Sequence, residues 1–214
     1  MPTERSVATP KGDARVVSRR AKRPIATLVL THGAGGGIDA PDLVRLARTL
    51  PQQDVSVTLV EMPWRVAGKR LAPAPAVIDQ CYTAVLDDMR TRSPLVLGGR
   101  SAGARSACRI ARGVGARGVL ALSFPLHPPG RPERSRLDEL RQARVRTLVI
   151  QGERDPFGTP EEFPDSVDLT VVPYADHSMK VPRRAPLSQE DALAVVLEAS
   201  LEWIVREISG NRNG

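Results

Sequence analysis

Short apolar runs alternate with amphipathic stretches along almost the whole chain, and this restricts the possible fold more than any other feature. Residues 25–30 (IATLVL) are almost continuously apolar and end at His32-Gly33, as a strand buried on both faces does. Residues 41–50 follow with Leu43, Leu46, Ala47 and Leu50 at a helical period, and Asp39 stands where a cap is expected. Residues 55–60 (VSVTLV) form a second strand, and Val77, Ile78, Cys81, Tyr82, Val85 and Met89 mark one face of a second helix. A third strand runs from Pro94 into Gly98-Gly99, and a helix of small residues leads from Ala102 towards Arg112. Residues 118–124, 146–151 and 168–172 read as three further strands. The last helix opens at Ser188, with Asp191 completing a capping box, shows Leu193, Val196, Leu197, Leu201, Ile204 and Ile208 on one face, and stops at Gly210.

This order implies an α/β fold: a doubly wound, mostly parallel sheet of about six strands with helices on both faces. Ligands of such sheets bind beyond the carboxyl ends of the strands, so the chemistry is expected just after residues 30, 60, 99, 124, 151 and 172. Residues 24–210 are expected to form one domain and 211–214 a disordered tail. Before them, Pro10-Lys11-Gly12-Asp13 between residues 6–9 and 15–18 has the turn chemistry of a short edge hairpin.

The formal charge of +7 invites a nucleic-acid reading, but its placement argues against one. Residues 1–23 hold Arg5, Lys11, Arg15, Arg19, Arg20, Lys22 and Arg23 against only Glu4 and Asp13, while the rest of the chain is close to balance. Aromatic residues are 3% of the chain, too few for a platform that stacks single strands. No apolar run reaches the ~18 residues of a membrane helix, and no N-terminal apolar segment closes on a cleavage site. Two cysteines make neither a disulfide framework nor a zinc site. The expectation is a cytoplasmic protein without metal or cofactor, partnered by neither nucleic acid nor membrane; its oligomeric state is not legible.

The sharpest local feature is Gly99-Arg100-Ser101-Ala102-Gly103, directly after a buried strand and directly before a helix. A nucleophilic serine needs a strained strand-to-helix turn that lifts its hydroxyl clear of the backbone, and only nearly bare neighbours fit so tight a turn. The hydroxyl also needs a base, and the base an orienting acid. Of three histidines, His177 lies just after the sixth strand, and Asp155 occupies the loop after the fifth. Glu153 and Asp176 are rival acids, although Asp176 adjoins His177 in a poor geometry for bonding its Nδ1. The third element is Thr31-His32-Gly33-Ala34-Gly35-Gly36-Gly37, a glycine-rich loop whose backbone can approach a ligand. The N–H groups of Ala34 and of Ala102, the residue after Ser101, are the candidate oxyanion-hole donors. A phosphate-binding loop would need a Lys and a Ser/Thr that are absent, and the dinucleotide fingerprint lacks its third glycine. His32 is expected to brace this loop.

Over residues 24–209 the chain resembles the α/β-hydrolase fold family, most closely its small lidless bacterial branch, which is dienelactone-hydrolase-like. That branch is similar to the hydrolase-like domain of a scaffolding subunit in an animal histone-acetyltransferase complex. The residues carrying the match are Leu30 to Gly36, Pro63-Trp64-Arg65 with Ala67-Gly68, Gly98 to Arg105, Phe124 to Gly130 (FPLHPPG) and Asp176-His177-Ser178. The resemblance implies a Ser101–Asp155–His177 triad, no cofactor and a small acyl substrate. Dienelactone hydrolase itself uses a cysteine nucleophile, so its substrate does not carry over to a chain with Ser101.

Three further residues are candidates for contacting substrate: Trp64 and Arg65 in the cationic stretch 63–72 after the second strand, and His127 at the end of the fourth. Arg100 is expected in a structural ion pair. Residues 125–143 are too short for a lid domain, so an open site is expected. The reading is a serine hydrolase of a small ester or thioester acting through an acyl-enzyme; the alternative is a catalytically silent relative that binds or scaffolds.

Overall fold

The structure, a computed structural model, describes residues 2–209. Eight strands form one sheet in the order β1-β2-β4-β3-β5-β6-β7-β8. They are β1 Thr3–Thr9, β2 Gly12–Arg19, β3 Ala26–Thr31, β4 Val55–Glu61, β5 Leu95–Arg100, β6 Gly118–Leu122, β7 Arg146–Gly152 and β8 Asp168–Val172. From β4 to β8 every pairing is parallel, whereas β1 pairs β2 and β2 pairs β4 antiparallel.

The expected count of about six strands is corrected to eight by the basic N-terminal segment. It is a full hairpin, Thr3↔Ser18 through Thr9↔Gly12, with Gly12 at φ 110° closing the turn. β2 continues the sheet on β4, from Arg15↔Glu61 to Arg19↔Val57. Two of its cations are spent in ion pairs: Arg5 with Asp88, and Arg15 with Glu4 at 2.7 Å and Glu61 at 2.9 Å.

The inner parallel strands β3, β4 and β6 are buried on both faces, which explains why they read as apolar runs rather than as alternations. Leu28 and Leu30 face one layer, formed by α1 (Pro41–Thr49) and the last helix, α6 (Gln189–Trp203), with Leu43, Leu46, Val196 and Trp203 in the shared core. Val29, between them, faces the other layer. There lie α2 (Pro63–Val66), α3 (Pro75–Asp87), α4 (Ala102–Ile110) and α5 (Leu137–Arg141), with Tyr82, Val85, Ala104, Ala107 and Leu140 in the core.

Helix ends differ from expectation in three places. Asp39 does not cap α1: Ala40 is the N-cap, no side chain bonds there, and Pro41 at the first position leaves one fewer N–H to satisfy. Met89 lies beyond the end of α3, and α4 stops at Ile110. Ser188 does cap α6, its Oγ accepting from Asp191 N at 3.1 Å, but after Trp203 the helix widens into a π turn, Ile204–Ser209. The expected stop at Gly210 and the tail 211–214 fall outside the described residues. None of the described helices is long and apolar enough to cross a membrane.

Candidate active site

Ser101 sits between the last residue of β5 and the first of α4, at φ 54° and ψ −112°, a conformation that non-glycine residues adopt only under constraint. The constraint is visible around it. Its N–H donates to the Leu122 carbonyl at 3.0 Å, tying the turn to the end of β6. A Cβ on Gly99 would lie 2.7 Å from the backbone carbon of Gly103, and one on Gly103 would lie 2.8 Å from the carbonyl oxygens of Thr31 and His32. Strand β3, the serine turn and α4 therefore interlock at distances that only glycine permits.

His177 lies within hydrogen-bond reach on both sides, Nε2 2.9 Å from Ser101 Oγ and Nδ1 2.8 Å from Asp155 Oδ2. One neutral tautomer satisfies both contacts: Nδ1–H donates to the carboxylate and Nε2 accepts from the hydroxyl. Asp155 is fully buried, and its Oδ1 accepts from Phe157 N at 2.9 Å. The rival acids are occupied elsewhere. Glu153 accepts from Tyr174 N, while Asp176 accepts from Ser178 N and Lys180 N, shaping the loop that carries His177.

Three supports of this row were missed or only half seen in the sequence. Gln151, the polar residue that ends an apolar run four residues before Asp155, is fully buried and points Nε2 at Asp155 Oδ2 (2.9 Å) and the Gly158 carbonyl (2.8 Å). Phe157 lays its ring on His177, centroids 4.2 Å apart and planes 31° apart; no periodicity singles it out. Arg100 is in the expected structural pair, with Nε 3.2 Å from Asp42 Oδ2, and it also donates from Nη2 to the His177 carbonyl at 2.6 Å. Burial pushes the Asp42 carboxyl above its ordinary value, with Arg100 opposing the shift.

A cleft of about 670 Å³ opens over Ser101, with Gly33 to Gly37 on one side and Pro125, Arg136 and Phe157 among its other lining residues. Ala34 and Ala102 both line it, and neither N–H has a hydrogen-bond partner among the described residues. His32 braces the glycine loop as expected. Its Nδ1–H donates to the Gly33 carbonyl at 2.8 Å and its Nε2 accepts from Met62 N at 3.0 Å, a pattern that requires the neutral ring. Burial pulls the His32 pKa below the ordinary value and keeps it so.

Trp64, Arg65 and His127 are placed away from this cleft, which corrects their reading as substrate contacts. β4 passes through Met62 straight into α2, which packs back on β2, so Trp64 is buried edge-on against His32, ring centroids 5.1 Å apart, and Arg65 leaves on the same short helix. His127 is buried with Nε2 2.8 Å from Glu162 Oε2 and Nδ1 2.9 Å from the Pro128 carbonyl. Burial opposes its charge, but these two acceptors outweigh it and raise its pKa, so it is an ion-paired strut rather than a cleft residue. Cys81 and Cys108 are buried free thiols, and burial pushes Cys108 up to about 12. Among the described residues no cluster of His, Cys, Asp or Glu has the makings of a metal site.

A doubly wound sheet with a strained serine turn at the end of β5 and an acid and a histidine on the loops after β7 and β8 defines the α/β-hydrolase class. The chain belongs to the family described as the alpha/beta hydrolase domain, which it matches over residues 24–205. Solved structures share its fold at low identity. A lidless a/b serine hydrolase from Xanthomonas campestris is 17% identical with a TM-score of 0.71, covering 94% of each chain. A dienelactone hydrolase from Anabaena variabilis is 18% identical at 0.70, covering 97% of this chain and 99% of its own. Est1E from Butyrivibrio proteoclasticus, with ferulic acid bound, is 16% identical at 0.69, covering 94% and 99%.

Proposed function

We propose that this protein is a serine hydrolase that cleaves a small ester or thioester through an acyl-enzyme. The observation that carries the reading is the continuous row Ser101 Oγ–His177 Nε2 and His177 Nδ1–Asp155 Oδ2, at 2.9 Å and 2.8 Å. In this reading Ser101 Oγ attacks the substrate carbonyl as His177 Nε2 takes its proton. The carbonyl electron pair moves to oxygen, and the Ala34 and Ala102 N–H groups receive that oxyanion. When the intermediate collapses, the bond to the leaving group breaks and His177 returns its proton to the departing oxygen or sulfur. Water then attacks the acyl-enzyme by the same path, giving a carboxylic acid and restoring Ser101. Asp155, held by Gln151 and the Phe157 N–H, fixes the tautomer and faces the imidazolium. The open cleft suits small acyl groups.

The experiment is intact-mass labelling by a fluorophosphonate, with wild type beside Ser101→Ala and His177→Ala. A single adduct on wild type and none on either variant is expected. No adduct on folded wild type would overturn the enzyme reading in favour of a silent member of the family that binds a partner.

A further inference from the structure

The charged side chains lining the cleft over Ser101, apart from His177, are Asp39, Arg100, Arg105, Arg136 and Lys180. Two of the three arginines are committed. Arg100 is held by Asp42 and the His177 carbonyl. Arg105 grips Glu139 with two bonds, Nε at 2.9 Å and Nη2 at 2.6 Å, and Glu139 also receives Arg109. Arg136 differs. It is half-buried, it has no carboxylate partner among the described residues, and its one side-chain hydrogen bond runs from Nη1 to the Pro125 carbonyl at 3.0 Å. Burial, and then the neighbouring Arg105, depress its pKa; Glu139 opposes the shift from nearby but spends its hydrogen bonds on Arg105 and Arg109, so the guanidinium is partly desolvated without a bonded carboxylate. The Pro125 bond fixes one side of the guanidinium and leaves the Nε/Nη2 edge free, the edge that matches two oxygens of a planar carboxylate. Lys180, exposed and on the loop that carries His177, adds a second uncommitted cation to the cleft. Asp39, the one carboxylate among the residues lining the cleft, sits by the glycine loop, where its Oδ1 would lie 2.8 Å from a Cβ on Gly37.

We propose that Arg136 is an anion subsite and that the ester or thioester cleaved at Ser101 carries a carboxylate. This rests on the reading of Ser101 as nucleophile. The cationic stretch 63–72 supplies no such subsite, because none of its residues lines the cleft; the selecting cation comes instead from the segment between β6 and α5.

The test compares two esters of one shape, mono-p-nitrophenyl glutarate with its free carboxylate and the same ester methyl-capped. Wild type is expected to favour the free acid in kcat/KM by about tenfold or more, the scale of a hydrogen-bonded charge. Arg136→Gln should bring the two esters to one value, while Arg131→Gln, an exposed arginine outside the cleft, keeps the wild-type ratio. No preference in wild type, or a preference surviving in folded Arg136→Gln, overturns the subsite. Should Arg136→Gln not fold, wild type decides: glutarate inhibiting turnover of p-nitrophenyl acetate where glutaramide does not supports it, and equal effects overturn it. Inorganic phosphate inhibiting in place of glutarate would overturn the carboxylate assignment. If neither ester is turned over and Ser101 takes no fluorophosphonate, the hydrolase reading fails separately. Calorimetric binding of glutarate, present in wild type and lost in Arg136→Gln, would still uphold the subsite, and its absence in wild type would overturn it.

Discussion

Arg100 Nη2 donates to the backbone carbonyl of His177 at 2.6 Å, so the residue just before the serine holds the loop that carries the histidine. The same guanidinium places Nε 3.2 Å from Asp42 Oδ2, and Asp42 is 1% exposed. Removing Arg100 strands a buried carboxylate, a change that costs about 3–5 kcal/mol. The cost must depend on pH. Asp42 already has a folded pKa raised by burial against Arg100's pull, and losing Arg100 raises it further. A carboxyl whose folded pKa lies above its unfolded value favours the folded state below about pH 4 and loses that contribution as pH rises through the folded pKa. Arg100→Met should therefore be mildly destabilised near pH 4.5 and strongly near pH 7.5, by urea unfolding, with a lower kcat wherever it is folded. A destabilisation equal at both pH values would show that Asp42 is not the partner that matters.

Asp155→Asn tests the far end of the row. Its carboxylate accepts from Gln151, Phe157 and His177, and an amide of the same shape keeps only part of this while favouring the wrong imidazole tautomer. A loss of about 10⁴ in kcat is expected against a reference ester, on the scale known for such a change. The far-ultraviolet spectrum should be unchanged. Retention of more than about a tenth of wild-type kcat would mean that another group orients His177.

Much of this architecture was legible because it rests on local signals. The buried parallel strands read as apolar runs, and GRSAG with Asp155 and His177 falls at three strand ends. What was illegible depends on partners distant in sequence. Asp42 and Arg100 meet only because α1 returns beside the end of β5, and Gln151 is simply a polar residue at the end of a strand until Asp155 folds back over it. The hairpin β1–β2 shows its turn chemistry, but that it adds two strands to the sheet depends on its register with β4. Trp64 and Arg65 were misplaced for the same reason: their composition suggests a rim, and only the path from β4 into α2 buries one and removes both from the cleft.

Gly103→Ala is a backbone test of the serine turn. Its added Cβ would stand 2.8 Å from the carbonyl oxygens of Thr31 and His32, neither of which can yield without moving β3. Overpacking of this kind costs about 1–3 kcal/mol. Thermal unfolding should show the loss, and fluorophosphonate labelling of Ser101 should slow in the folded fraction. Labelling at the wild-type rate would show that the turn tolerates a shift of α4.

His32 makes the glycine loop sensitive to acid. Its proton sits on Nδ1, given to the Gly33 carbonyl, and Nε2 must stay bare to accept from Met62 N. Burial lowers its folded pKa, so the unfolded chain binds this proton first as pH falls. Its contribution to stability is complete above the unfolded value of about 6.5 and is lost as pH falls from there through the folded pKa. Wild type should therefore lose stability between about pH 7 and pH 5 relative to His32→Gln, which keeps polar groups at the site without the titration. The direct check is the imidazole proton spectrum, where the His32 resonance should stay in place over a range in which an ordinary histidine shifts. A His32 resonance that titrates near 6.5 would remove the acid sensitivity from this residue, and with it the argument that protonation here loosens the loop bearing Ala34.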